Sequence, residues 1–394
     1  MLEANRRIFL QSFAAGAGAL ATSQSFAAGG DGHAAGYDVS AASDYLKTIP
    51  RKSGDPVVFT ASLDNGPIKA TSGGWARDVT TKGLPIATDI AGAHLYLNAG
   101  GVREMHWHNS AEWAYVLSGH CQVTVVDPEG ETEVANYAPG DLWYFPKGHA
   151  HSIQTVGSDP CHAILAFDDG LYGEHGTFGL SDWMSRLDPA MLAQALGLPK
   201  DTVAKIPAAE VYIRQGDVIG HDSAEARAIN VLDATRTHRF SIMAQKARVS
   251  SPGGTIHVAS AKEYPISTTI TGVVTRLQAG AMHAPHWHPN ANEWHYVAKG
   301  RTRVTLFAPD KRMAVAELSP GDCAYIPRGC GHSVQSIGAD ECEMVGILDS
   351  GTYSESSLSD WIVKAPRHVL ANNLGVPAES FAAATNRSAI IPAS

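Results

Sequence analysis

The sequence predicts an all-β fold made of two tandem barrels, each followed by a short helical extension. One observation is a repeat: a set of histidines, acids, glycines and prolines in residues 106–152 recurs in residues 286–333. Another is the alternating pattern of short runs such as 122–126 and 302–307. Glycine and proline separate these runs, which is typical of an antiparallel barrel or sandwich.

The two copies of the repeat have a nearly constant spacing. Five positions of the second copy lie 181 residues beyond their partners in the first. The pairs are Glu112 and Glu293, Gly119 and Gly300, Gly140 and Gly321, Pro146 and Pro327, and His151 and His332. A chain of 394 residues is long enough for two such domains.

Predicted helices follow each barrel, at residues 188–198 and in a segment that ends near Leu374. Ser181 and Ser359 are predicted helix N-caps. The predicted organisation is a signal peptide at 1–27, an N-terminal arm at 28–55, a first barrel with its helical tail at 56–215, a connection with the opening strands of the second barrel at 216–260, and the second barrel with its tail at 261–394.

The first 30 residues differ from the rest of the chain. Asn5-Arg6-Arg7 precedes a weakly apolar, Ala/Gly-rich run, and Ser25-Phe26-Ala27 forms a small-x-small cleavage pattern. The segment resembles a twin-arginine export signal, although Asn5 stands where Ser or Thr is usual. It predicts a periplasmic or secreted protein, with a cytosolic tail as the alternative.

Composition excludes several classes of partner. A net charge of -9 without a long Lys/Arg run argues against nucleic acid and anionic membranes. No apolar stretch approaches the roughly 20 residues that span a bilayer.

Five cysteines show no C-x-x-C spacing, and their odd number leaves at least one thiol free. They are predicted to be small buried residues: Cys121, Cys161, Cys323, Cys330 and Cys342.

The repeated polar residues are candidate metal ligands. Residues i and i+2 of a strand share a face, so His106 and His108 project together. Glu112 follows at the next strand, and His151 comes from a later hairpin. The second set is His286, His288, Glu293 and His332. Imidazoles with a carboxylate and no thiolate favour Mn or Fe, and zinc also accepts these ligands.

The repeat also separates ligands from other histidines. A lone H-x-H would be interpreted as polar residues on a barrel rim, but four ligand types recurring twice in register favour metal binding. His149 corresponds to Cys330 in the second copy, so it is not a predicted ligand. His94 and His162 have no matching histidines and are predicted to be structural or surface residues.

Both copies carry two motifs of a known superfamily. Gly100, the H-x-H-x(3,4)-E pattern and the later G-x5-P-x-G-x2-H pattern match the two cupin motifs. From about Tyr37, the chain resembles a bicupin of the oxalate decarboxylase family. The sequences most characteristic of that family are residues 103–108, 112–115 and 140–146. The resemblance implies two tandem cupin barrels, of the double-stranded β-helix or jelly-roll type. It also implies assembly as a trimer or hexamer.

The two copies differ beside the first ligand. Arg103 has His283 as its counterpart. A guanidinium beside an open metal position can hold a carboxylate through paired, charge-assisted hydrogen bonds. The alternative is a surface arginine that forms an ion pair with Glu104.

The first copy also has three extra residues between Tyr172 and Trp183. In the loop 172–177, glycines flank Glu174 and His175, so the loop can move and bring a carboxylate to a substrate. A solvated surface loop is the alternative. The family resemblance implies a lid here whose Glu transfers protons, and Glu174 occupies that place. Gly173, His175 and Gly176 depart from the usual lid pattern, which leaves the balance with oxidase chemistry open.

These features predict a manganese-dependent oxalate decarboxylase that converts oxalate to formate and carbon dioxide at the first site. Arg103 and Glu174 are the candidate catalytic residues. The resemblance implies two Mn per chain, rather than Fe or Zn, with dioxygen as redox cofactor. The second site is expected to be structural or auxiliary. Rival hypotheses are an oxalate oxidase that yields hydrogen peroxide, a cupin that acts on another small carboxylate, a diketone or flavonol dioxygenase, and a storage bicupin.

Overall fold

A computed structural model describes residues 57–309, 312–385 and 389–393. Residues Gly54–Ser394 cluster as one unit, and both barrels belong to it. The predicted signal peptide and N-terminal arm lie outside the described residues, so both stay predictions.

The first barrel is built from two antiparallel sheets. One sheet has the strand order β14-β9-β6-β11-β4-β3-β2, and the other has the order β12-β5-β10-β7-β8, with β13 also paired to β5. Their bounds are β2 Ile68–Thr71, β3 Gly74–Val79, β4 Ala91–Leu97, β5 Gly101–His108, β6 Glu112–Ser118, β7 Cys121–Val126, β8 Thr132–Tyr137, β9 Leu142–Phe145, β10 Ala150–Thr155, β11 Cys161–Phe167, β12 Thr177–Gly179, β13 Ile213–Gln215 and β14 Arg239–Phe240.

The second barrel repeats this arrangement. Its sheets have the orders β1-β22-β19-β24-β17-β16-β15 and β21-β20-β23-β18-β25, with β26 also paired to β18. Their bounds are β1 Thr60–Ser62, β15 Val249–Ser251, β16 Gly254–Ala259, β17 Thr271–Leu277, β18 Met282–Trp287, β19 Glu293–Lys299, β20 Thr302–Ala308, β21 Arg312–Leu318, β22 Asp322–Ile326, β23 Gly331–Ser336, β24 Cys342–Leu348, β25 Ser356–Ser357 and β26 Ile390–Ile391. The prediction of two tandem β barrels is confirmed.

Strand β10 shows how the sequence pattern produces the barrel interior. His151, Ile153 and Thr155 are buried, while the residues between them are partly exposed. The period of two therefore sends one ligand and two core side chains to the same face. The turn before this strand contains Gly148 with φ 81°, and its counterpart Gly329 has φ 77°. This left-handed conformation favours glycine.

Two short strands cross between the barrels. Strand β1, near the start of the described chain, pairs with β22 of the second barrel. Strand β14, which follows the connecting segment, pairs with β9 of the first barrel. The boundaries at residues 56, 216 and 261 remain predictions. Strand pairing crosses the second and third of them, because β14 pairs with β9 and β16 pairs with β17.

A tryptophan from each barrel fills the interface between them. Trp113 and Trp294, which follow the acidic ligands in the sequence, are fully buried. A Cβ on Gly272 would lie 2.3 Å from the Trp113 ring, and one on Gly92 would lie 2.2 Å from the Trp294 ring. Glycine is therefore needed at both positions because each indole packs directly against the backbone of the other barrel.

Helical extensions follow both barrels, as predicted. The α-helices are Tyr172–His175, Leu180–Arg186, Pro189–Leu196, Lys200–Val203, Leu358–Lys364 and Arg367–Leu374, and the 3-10 helices are Leu63–Asn65, Ile242–Ala244 and Ala378–Phe381. Among the described residues, none of these helices is long and apolar enough to cross a membrane.

The prediction of Ser181 and Ser359 as N-caps is wrong. Both lie inside their helices, and the cap of the second is Ser357, whose hydroxyl accepts from the amide of Asp360. The Ser181 hydroxyl instead donates to Glu104, at 2.6 Å. Short serine-rich starts leave the choice of cap open because neighbouring hydroxyls can reach similar amides.

The cysteine prediction is confirmed. All five cysteines are buried and free of disulfides. They therefore act as small apolar residues of the barrel cores.

Candidate metal centres

The first barrel brings four predicted ligands together in its interior. His106 and His108 lie on β5, Glu112 begins β6, and His151 lies on β10. One nitrogen or oxygen from each forms a group whose atoms all lie within 4.8 Å of one another. The Glu112 Oε2 atom is 3.2 Å from His108 Nε2 and 3.3 Å from His151 Nε2. All four residues are buried, which suits ligands of one enclosed cation.

Hydrogen bonds at the outer nitrogens orient these rings. His106 Nδ1 lies 2.6 Å from the Glu104 carbonyl oxygen, and His151 Nδ1 lies 2.9 Å from the His149 carbonyl oxygen. A carbonyl accepts, so each Nδ1 carries the proton and each Nε2 presents a lone pair. The Nε2 atoms of His108 and His151 are buried and lack a hydrogen-bond partner among the described residues.

Electrostatics keep the cluster in the protonation states that bind metal. Burial lowers the pKa of His106 far below its usual value, and Arg103 adds to the effect. Burial also lowers the pKa of His108. Burial alone would raise the pKa of Glu112, but His151 and His108 bring it well below its usual range. The cluster thus offers two neutral imidazoles and a carboxylate at neutral pH.

The second barrel forms a matching cluster. His286 lies on β18, His288 directly follows that strand, Glu293 begins β19 and His332 lies on β23. Their ligand atoms also lie within 4.8 Å of one another. The Glu293 Oε2 atom is 3.1 Å from His288 Nε2 and 3.0 Å from His332 Nε2.

The three histidines that the sequence analysis set aside, His94, His149 and His162, lie outside both clusters. His149 Nδ1 lies 3.1 Å from His238 Nε2. His94 Nδ1 lies 3.2 Å from His162 Nε2 on the neighbouring strand. These rings therefore contact each other rather than the four ligands.

Arg103 is a buried residue of β5, with 5% of its surface exposed. Its Nη1 donates to the Tyr212 carbonyl oxygen at 3.0 Å, and its guanidinium lies 4.1 Å from the centre of the Tyr212 ring. Glu104 instead accepts from Ser181 and from the Tyr212 amide. The alternative of a surface arginine paired with Glu104 is therefore wrong.

Comparison with known proteins identifies the family. The cupin family model matches residues 61–204 and 240–380, which is more than half of the chain. Oxalate decarboxylase OxdC of Bacillus subtilis is 34% identical over 295 residues, which cover 75% of this chain and 76% of the relative. The chain is a bicupin of the oxalate decarboxylase family.

Two further comparisons agree with this assignment. A probable oxalate decarboxylase of Arthroderma benhamiae is 34% identical over 78% of this chain and 76% of its own length. A solved structure of the Bacillus subtilis protein, determined in work on its Mn(II) centres, has a TM-score of 0.81 and 28% identity. The structural match covers 93% of this chain and 98% of the Bacillus subtilis chain. The predicted pair of cupin barrels is confirmed.

The bicupin's loop 172–177 lies beside the first cluster. Its first four residues form the helix Tyr172–His175, and the Glu174 and His175 side chains lie outside the described residues. The Tyr172 ring stacks on Phe167 with centroids 3.6 Å apart, and its hydroxyl lies 2.9 Å from Thr177 Oγ1. Thr177 then pairs with His108 in the sheet. Both ends of the loop are therefore anchored at the cluster.

The second cluster has an acid that sequence reasoning missed. Glu355 follows Tyr353 by two residues, as Glu174 follows Tyr172, so the 181-residue offset could have revealed it. Its Oε2 lies 3.5 Å from His283 Nε2 and accepts from the Tyr353 hydroxyl at 2.5 Å. The second cluster therefore has an acid and an imidazole where the first has the loop and Arg103.

Tyr212 is the other missed residue. It lies in the segment 204–263, whose sequence has few structural signals. Its φ of 61° is unusual for a residue other than glycine. Two hydrogen bonds of the Tyr212 backbone hold this conformation. Its carbonyl accepts from Arg103, and its N–H donates to Glu104.

Proposed function

We propose that this bicupin is a manganese-dependent decarboxylase that converts hydrogen oxalate to formate and carbon dioxide at the first cluster. The observation that carries the proposal is the arrangement of four buried ligands with a buried arginine and an anchored acidic loop beside them. The names of the relatives, oxalate decarboxylases of 34% identity, support this choice of reaction.

The donor set fits manganese. Three imidazoles and a carboxylate surround one point, and no cysteine belongs to either group. Such borderline nitrogen and hard oxygen ligands suit Mn or Fe, and Zn is the weaker candidate. We infer two Mn per chain, held by His106, His108, Glu112 and His151 and by His286, His288, Glu293 and His332. Manganese with dioxygen would supply the one-electron oxidation of the substrate and its reversal.

Arg103 would bind and orient the substrate. It is buried on β5, the strand that also carries the proposed ligands His106 and His108. The Tyr212 carbonyl takes one donor and the Tyr212 ring supports the cation. The remaining donors can form charge-assisted bonds to a carboxylate and stabilise developing charge on it.

Glu174 would move the proton. As a carboxylate, it takes the proton of hydrogen oxalate while the substrate is oxidised, and it returns that proton to the carbon that becomes formate after carbon dioxide leaves. Movement of the loop about Gly173 and Gly176 would bring the carboxylate to the substrate and exclude water. Without this proton donor, the oxidised substrate would lose its second electron and oxidase products would form.

Product analysis tests this proposal. The protein is loaded with Mn, incubated with oxalate in air, and assayed for formate and hydrogen peroxide, with exposed Glu225→Ala as a control variant. We expect formate to dominate in both samples. Predominant peroxide would make the protein an oxidase, and absence of turnover in fully loaded protein would refute both activities.

We also propose export by the twin-arginine route and assembly into a trimer or hexamer. Asn5-Arg6-Arg7 and the Ser25-Phe26-Ala27 pattern support export of the already folded protein. N-terminal sequencing of periplasmic protein should show a chain that starts near residue 28, and a chain that starts at Met1 would contradict it. Light scattering of the purified protein tests the oligomeric state.

A further inference from the structure

The first barrel contains a second histidine cluster that the proposed reaction does not use. His149 lies in the turn before β10, and His238 directly precedes β14. Their ring nitrogens, Nδ1 of His149 and Nε2 of His238, are 3.1 Å apart. Their ring centroids are 5.3 Å apart, the same distance as for the proposed ligands His108 and His151. Two imidazoles on one ion would have similar spacing.

A buried carboxylate fixes the second of these rings. The Glu133 Oε2 atom lies 2.7 Å from His238 Nδ1 and accepts the His238 amide at 2.8 Å. Its Oε1 accepts from the Thr237 hydroxyl at 2.6 Å and from the Leu232 amide. Glu133 Oε2 therefore accepts the hydrogen bond from the Nδ1–H of His238, and the Nε2 lone pair of His238 faces His149.

The pair opens on an acidic surface pocket. Asp127 and Glu129 line this pocket together with Thr235 and the two histidines. Arg236, at the same pocket, pairs with Glu131. The pocket thus has acidic side chains in its lining and room for water to complete the coordination of a cation.

The second barrel lacks the whole arrangement. At the 181-residue offset, Glu133 corresponds to Ala314 and His149 to Cys330. In the first barrel, β14 occupies the place that β1 has in the second. His238 directly precedes β14 and Phe59 directly precedes β1, so the two residues correspond. Phe59 and Cys330 are buried in that barrel's apolar core. The fold therefore accepts apolar residues at these positions, and its requirements do not explain the three polar side chains.

We propose that His149 and His238 form an additional site for a borderline divalent cation such as Zn²⁺, with Glu133 as the residue that orients His238. Imidazole nitrogens suit such ions, and a carboxylate behind the ligating ring is a common arrangement in metal sites. The ion would join the segment before β14 to the turn before β10. The His149 carbonyl accepts from His151, so this turn also positions a ligand of the first cluster.

Calorimetric titration with Zn²⁺ tests the site on full-length protein saturated with Mn. We expect wild type to bind one Zn²⁺ while its Mn content, measured afterwards, is unchanged. His149→Ala, which alters a partly exposed side chain, should abolish this binding. Glu133→Gln should weaken it by about 10- to 100-fold. Cys330→Ala, at the corresponding position of the second barrel, is the matched control and should bind like wild type.

Thermal unfolding gives a second measurement on the same samples. Excess Zn²⁺ should raise the Tm of wild type and Cys330→Ala, because a ligand of the folded state stabilises it, and should leave the Tm of His149→Ala unchanged. The proposal is overturned if no Zn²⁺ binds beyond the amount that exchanges with Mn, or if His149→Ala binds Zn²⁺ as wild type does. In either case His149 and His238 would be only a hydrogen-bonded pair. Neither measurement involves formate, so a failure here leaves the proposed reaction untouched.

Discussion

The two ligand clusters share four residue types and almost the same geometry, yet their surroundings differ. In the first cluster, the outer oxygen of Glu112 accepts from Trp143 Nε1 at 2.9 Å. In the second, the outer oxygen of Glu293 is 2.6 Å from His295 Nε2. The counterpart of Trp143 is Ala324, and that of His295 is Ala114. Each barrel therefore supplies one buried partner to its acidic ligand, but from a different strand.

The substrate side differs more strongly. The first cluster has Arg103, supported by Tyr212, and a loop between two glycines. In the second, Glu355 is already engaged by His283 and by the Tyr353 hydroxyl. A small cavity lined by His283, His295 and Gly346 adjoins that cluster. The comparison teaches that two nearly identical ligand sets can have different neighbours, and under the proposed function these neighbours decide whether a dicarboxylate is bound and protonated.

The largest effect is expected from removing one ligand of each cluster. His151→Ala should abolish formate production and lower the Mn content by one per chain, because the reaction is assigned to the first cluster. His332→Ala should also lose one Mn but keep activity. Metal analysis and formate assays on both variants decide this. Loss of activity in His332→Ala with the first Mn retained would contradict the assignment.

Replacement of Glu174 should have the next largest effect, and replacement of Glu355 at the matching position should have little. Glu174→Gln should reduce formate production by about 10²- to 10⁴-fold, since proton transfer to and from the substrate depends on it. Mn content should be unchanged. Glu355→Gln is the matched control and should leave the rate close to that of wild type. A Glu174→Gln protein with a normal rate of formate production would refute the role of the loop.

Exchange of Arg103 and His283 tests substrate binding. Arg103→His makes the first cluster resemble the second, and we expect kcat/KM to fall by about 10- to 100-fold. This corresponds to the roughly 1.5–3 kcal/mol of a hydrogen bond to a charged group. His283→Arg should add no activity to a His151→Ala protein, because Glu355 would pair with the new guanidinium. Steady-state kinetics measure both variants, and formate from the double variant would contradict this interpretation.

The last expected effect is on metal affinity rather than on turnover, and it depends on pH. Burial would lower the pKa of His288, but Glu293 raises it to about 9. Mn²⁺ must displace this proton, so affinity at the second cluster should rise with pH by up to about tenfold per unit until pH 9. Burial lowers the pKa of His108, so that ring requires no such displacement. Mn titration of metal-free His151→Ala and His332→Ala proteins at pH 6 and 8 should show a stronger pH dependence in the former.

Much of both clusters could be predicted from the sequence because their geometry is local. The period of a strand places His106 and His108 on one face, and the repeat marks His151 as the third histidine, which the pairing of β10 with β5 brings to them. The repeat then removes His149 from the ligand set, since Cys330 stands at its place. The N-caps could not be predicted in the same way, because the Ser181 hydroxyl has a distant partner in Glu104.

The sequence by itself determined two β barrels, their ligand sets and the single arginine that distinguishes them. Those features depend on residues within a few positions of one another and on a repeat that can be read directly. Only the tertiary structure decided that Tyr212 supports Arg103, that Glu355 faces His283 and that β1 and β14 cross between barrels. These contacts join residues that are far apart in the chain, or that share no periodic pattern, so the packing of the folded barrels selects them.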